Sequence, residues 1–186
     1  MKNQLLTLSL FAFILMFSAC GNKAKSQGSE QITERIADLE KKMVDTSQIE
    51  NRRDIMRELA AAYQEYAIEN PKADDATDRL LKAAQNYGTI GEFDKATTIF
   101  KSIIEVDSKT GNAKDAMFQM AYIYEAMAKF DMTKSEEYNI NAKKYYEMLI
   151  TEFPNDPLAT QSKMLMDNIG KSDKELLDAV IKKSQE

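Results

Sequence analysis

From residue 30 to the C-terminus, apolar side chains recur three or four positions apart, and this period most constrains what the chain can fold into. In "QITERIADLEKKM", Ile32, Ile36, Leu39 and Met43 line up on one face of an otherwise charged helix. Similar stripes follow, with the punctuation that starts and stops helices between them. Ser47 and Glu50 have the spacing of a capping box, which predicts a second helix that stops before Pro71. Further helices are predicted over about 74–89, 92–107, 112–130 and 135–153. Asp156-Pro157 pairs a capping residue with proline at the first helical position and opens a seventh. Ser172 and Glu175 form a second capping box and open the last. With six glycines and three prolines, the chain has little turn chemistry for a β architecture, and no segment reads as a strand. The expectation is an all-α chain of antiparallel helix pairs joined by short turns.

Paired helices with short turns invite a search for a fixed repeat. The span "LLKAAQNYGTIGEFDKATTIFKSII" places Leu80, Ala84, Tyr87, Gly91, Phe93, Ala96 and Phe100 at regular positions. Small Ala84 and Ala96 allow two helices to approach closely, and Tyr87 and Phe100 fill the space beside them. Gly91 tolerates the positive φ of a helix-ending turn. This pattern resembles the tetratricopeptide repeat. Its departures are the absent tryptophan, Ile103 in place of alanine, and Ser108 in place of the terminal proline. A second copy has Met117, Ala121, Tyr124 and Ala128 in its first helix and Ala142, Tyr146, Leu149 and Pro154 in its second. Tyr124 and Ala142 stand 18 positions apart where Tyr87 and Ala96 stand 9 apart, so the second copy carries extra residues around "KFDMTKSEEY". The best-matched repeats are 77–110 and 114–156, with worn-down pairs on either side. The resemblance implies helix pairs stacked as a short right-handed superhelix. "EFPNDP" after an aromatic-rich helix resembles repeats in two bacterial envelope families. These are the tetratricopeptide lipoproteins of the outer-membrane β-barrel assembly machine and the periplasmic coordinators of the Tol-Pal system. The latter place an oligomerising coiled coil before their repeats, whereas the two heptads of residues 32–43 favour packing on the second helix.

The N-terminus has a different character. Lys2 precedes the apolar run "LLTLSLFAFILMF", 13 residues that reach about 20 Å as a helix, short of the roughly 30 Å bilayer core. A short apolar run behind a basic start is the pattern of a secretory leader. Ser18-Ala19-Cys20-Gly21 then resembles the lipobox of bacterial lipoproteins, departing from it at Phe17. The resemblance implies removal of residues 1–19 and lipidation of Cys20, the only cysteine. It also implies an outer-membrane location, because Gly21 is not an aspartate. Residues 20–29, polar and without periodicity, read as a flexible tether, and 30–186 as the helical domain.

Little in the chain carries catalytic chemistry. There is no histidine, which excludes His bases and His metal ligands. The net charge of −5 argues against nucleic-acid binding. Lys109-Thr110-Gly111 matches a penicillin-binding box, but no serine has a lysine three residues on, so it reads as a turn. No phosphate loop or metal spacing occurs, and no cofactor is expected beyond the lipid on Cys20. Met117, Met120, Tyr124 and Met127 form a stripe best read as core. In the tetratricopeptide family the first helix of each pair lines a concave groove. By motif register the groove residues are Asp78, Leu81 and Gln85, then Asp115, Phe118, Tyr122 and Glu125. The function expected is a lipid-anchored scaffold of the bacterial envelope that binds envelope or outer-membrane proteins and makes no bonds. The alternative is a lipoprotein that captures a small ligand or glycan in the groove.

Overall fold

The computed structural model describes residues 28–183, and among these every regular element is helical. Helix α1 covers residues 28–44. It is followed by α2 (Arg52–Glu69), α3 (Ala76–Thr89), α4 (Phe93–Val106), α5 (Gly111–Phe130), α6 (Ser135–Glu152), α7 (Pro157–Met166) and α8 (Asp173–Lys183). The chain divides into two compact units, one ending at Arg79 and the other beginning at Leu80, within α3.

In the first unit, α1 buries Ile32, Ile36 and Leu39. The stripe that could have served a coiled coil is therefore covered within one chain. Across this pair Tyr63 of α2 donates a hydrogen bond to Glu40 of α1, and Arg35 pairs with Glu65. Arg79 lies 4.8 Å from the centre of the Tyr66 ring and 5.6 Å from that of Tyr63, while its guanidinium reaches Asp75 at 3.0 Å. Tyr66 donates to the same carboxylate at 3.0 Å.

Two boundaries differ from the sequence expectation. Ser47 and Glu50 do not form a capping box. Asp45 takes the Ser47 N–H at 2.9 Å, and residues Thr46–Asn51 wind as a 3-10 segment before α2 begins at Arg52. An aspartate two residues before a free N–H competes directly with a later cap. The expected tether also ends early: Gly28 and Ser29 are helical, and Ser29 Oγ donates to Asn70 Oδ1 at 3.1 Å. The leader, Cys20 and residues up to 27 lie outside the described residues.

The second unit packs α4 on α5, α5 on α6 and α6 on α7. Its connections are locally determined. Gly91 has φ 81°, and the Glu92 N–H reaches the Tyr87 carbonyl at 2.9 Å while the Gly91 N–H reaches that of Gly88 at 3.1 Å. This pair of bonds is the Schellman ending anticipated for that glycine. Thr110 caps α5 by accepting from the Ala113 N–H at 3.1 Å, so the Lys-Thr-Gly triplet is a helix start. Asp156 caps α7 through the Leu158 N–H at 2.9 Å. Ser172 and Glu175 exchange the reciprocal bonds of a capping box.

The extra residues of the second repeat are taken up as helix. α5 has 20 residues and α6 has 18, against 14 each for α3 and α4, and only the short 3-10 segment Met132–Lys134 intervenes. The core of this unit is built from Ala96, Phe100, Met117, Met120, Ala121, Ala142, Tyr146 and Leu149, all within 1% of full burial.

Candidate functional site

The candidate site is a concavity where α3, α4 and α5 meet, and one residue without a side chain makes it possible. Gly88 of α3 faces α5 so closely that a Cβ there would stand 3.0 Å from Ile123 Cδ1. Around this contact opens a cavity of about 260 Å³. Gln85, Gly88 and Thr89 of α3 border it, with Phe93 and Phe100 of α4 and Gln119, Tyr122, Ile123 and Ala126 of α5. Phe100 and Ile123 form a buried apolar floor. Gln85 and Gln119 stand half-buried at the rim, and among the described residues neither carboxamide has a hydrogen-bond partner. The Thr89 hydroxyl already donates to the Gln85 carbonyl at 2.8 Å.

Tyr122 is the exposed wall of this cavity, with 60% of its surface open. It also borders a neighbouring depression of about 240 Å³ formed with Glu125, Ala126, Lys129 and Phe130. Phe130 is 82% exposed, and its ring centre lies 6.3 Å from that of Phe93. Tyr122, Ala126 and Phe130 are four residues apart and follow one face of α5, so aromatic surface runs from the cavity to the helix end.

Of the residues expected in a groove, the structure brings Gln85 and Tyr122 to one cavity. Phe118 is half-buried, its ring edge-on to the buried Tyr146 at 5.9 Å, so it is part packing and part surface. Leu81 corrects the expectation. It is only 9% exposed and belongs to the core, because motif register gives the helix face and the bulk of neighbouring side chains decides what reaches solvent. Glu125 borders the second depression, but its carboxylate accepts the Tyr146 hydroxyl at 2.6 Å and so also serves the α5–α6 contact. Asp78 is exposed at the start of α3, in the first unit.

Asp115 lies at the other end of the α5 face. Its neighbour Lys114 is engaged by Asp156 at 2.8 Å. That bond raises the Lys114 pKa and holds the Asp156 carboxyl below the ordinary range. Burial pushes the Asp115 carboxyl upward, and Asp156 adds to the shift while Lys114 opposes it. Among the described residues no hydrogen bond reaches the Asp115 carboxylate.

Sequence reasoning missed Gln119, Lys129, Phe93 and Phe130 as lining residues. The four-residue spacing of Tyr122, Ala126 and Phe130 carried a signal for Phe130. Nothing local distinguished Phe93 from an ordinary packing residue. Among the described residues no group of His, Cys, Asp and Glu side chains is placed to hold a metal ion. No helix there is long and apolar enough to cross a membrane.

Residues 115–156 match the tetratricopeptide repeat. The chain therefore contains such a repeat, and the matched segment is the α5–α6 pair that carries Tyr122 and Tyr146. Domains of this kind generally bind protein partners and are typically non-catalytic scaffolds. Neither curated proteins nor solved structures match the chain.

Proposed function

We propose that the chain is a lipid-anchored scaffold of the bacterial envelope that holds a protein partner in the concavity between α3 and α5. The observation that carries this reading is the pairing of two unengaged carboxamides with an exposed tyrosine over an apolar floor. A carboxamide offers both a donor and an acceptor, which suits a peptide backbone laid across the rim. The cavity, at about 260 Å³, fits one partner side chain and lies below the usual range for an enclosed small-molecule site. That size and its open mouth favour a protein partner over capture of a small ligand or glycan.

The envelope part of the proposal rests on Cys20 as the lipidated residue behind a disposable leader. An outer-membrane location and the likeness to the assembly-machine lipoproteins and Tol-Pal coordinators extend the same reading. Tyr122→Ala tests the site. With the fold intact by circular dichroism, the variant should lose stoichiometric partners recovered from cross-linked, detergent-solubilised envelope. Recovery at the wild-type level would place the binding surface elsewhere.

A further inference from the structure

The concavity and Asp115 together restrict what kind of segment can occupy the site. Asp115 precedes Tyr122 by seven residues, which is two helical turns, so both side chains leave the same face of α5 about 10 Å apart. Between them Gln119 lies on that face and borders the cavity. An extended peptide advances about 3.3 Å per residue, so three residues cover this distance.

The two ends of the face have different chemistry. At Tyr122 there is an apolar floor and an uncharged rim. At Asp115 there is a half-buried carboxylate whose neighbouring cation is bound to Asp156. Lys114 gives its hydrogen bond to Asp156, so among the described residues no cation is hydrogen-bonded to the Asp115 carboxylate. A partner that covers Asp115 with apolar surface would strand a buried anion, a cost that a partner cation removes. The whole chain is also acidic, with a net charge of −5.

We infer that the occupant is an extended peptide segment with an apolar anchor side chain in the cavity and a lysine or arginine three residues away, paired with Asp115. This deepens the protein-scaffold reading above and rests on it. The anchor lies against Phe100, Ile123 and Tyr122, the backbone exchanges hydrogen bonds with Gln85 and Gln119, and the cation reaches the Asp115 carboxylate.

The test uses a phage-displayed random dodecapeptide library selected on the detergent-solubilised full chain, followed by fluorescence anisotropy with the enriched peptides. The expected enrichment is an aliphatic or aromatic residue with lysine or arginine three positions away. Asp115→Asn should weaken such a peptide about tenfold, the scale of one charge-assisted hydrogen bond. The same variant should leave unchanged the binding of the peptide's glutamine-substituted form. Peptides that lose binding on Tyr122→Ala but show no basic preference, or that ignore Asp115→Asn, would overturn the inference and leave the groove reading standing. Failure to enrich any peptide, or binding indifferent to Tyr122→Ala, would overturn both.

Discussion

Tyr146 and Glu125 tie the matched repeat together at a single atom pair. The ring is fully buried and the hydroxyl donates to the Glu125 carboxylate of the partner helix. Tyr63 and Glu40 repeat the arrangement between α2 and α1. In the α3–α4 pair, motif register puts Gly88 and Phe100 at the corresponding places, so the bond is absent and the space becomes the cavity. Tyr146→Phe should cost about 1.5–3 kcal/mol, the worth of one bond to a charged group, read by urea denaturation.

Burial, then the bond to Glu125, raises the Tyr146 pKa above its ordinary value of 10.0. A raised folded-state pKa means this contribution is fully present below the unfolded value. It is lost as pH climbs past about 10 toward the folded value. Alkaline unfolding should therefore be steeper in the wild type than in Tyr146→Phe. Equal slopes would show that this hydroxyl does not report on folding.

Ser162 of α7 has the opposite status. It is fully buried, and among the described residues its hydroxyl has no partner. Ser162→Ala removes that unmet group at little cost in volume. It should raise stability by about 1 kcal/mol, or about 2–4 °C in Tm.

At the scale of the element, the helices depend on small residues where they cross. Ala96 and Ala142 are fully buried on α4 and α6, at positions where a longer side chain has no room. Ala142→Asp inserts a charge into the α5–α6 contact and should remove most of the stability of the second unit. Calorimetry would show its transition lost or displaced by well over 10 °C, in keeping with the several kcal/mol that an unpaired buried charge costs. Ala96→Asp should act in the same way.

Helix boundaries were largely legible beforehand because caps and periods are local. Thr110, Asp156 and the Ser172–Glu175 pair behave as short-range chemistry requires. Ser47 fails for an equally local reason: Asp45 reaches its N–H first. The insertion between Tyr124 and Ala142 could have formed a loop or longer helices. Helix resulted because Tyr138 and Tyr145 stack on Tyr124, with ring centres at 6.3 Å and 5.9 Å, giving the lengthened turns something to pack on.

For the whole molecule, the repeat predicts dependence between neighbours, since one helix pair buries too little apolar surface to offset its own ordering entropy. The proposed anchor adds a separate dependence on place. Cys20→Ser should release the chain from the membrane fraction while its helical content and melting temperature stay unchanged. A variant that remained membrane-bound would refute lipidation as the attachment.

The sequence by itself determined the all-α class, the order of the eight helices among the described residues, the repeat spacing and the glycine at the α3–α4 turn. The caps, the periods and the glycine follow from side chains within about one or two turns of one another, and the repeat from the recurrence of that local pattern along the chain. Tertiary structure decided which members of the groove face are free. Leu81 is covered, Glu125 is shared with Tyr146, and Tyr122 stays open beside a cavity that Gly88 leaves at the α3–α5 approach. Exposure depends on residues tens of positions away, and a helical period reports which face a residue shares without reporting what lies across from it.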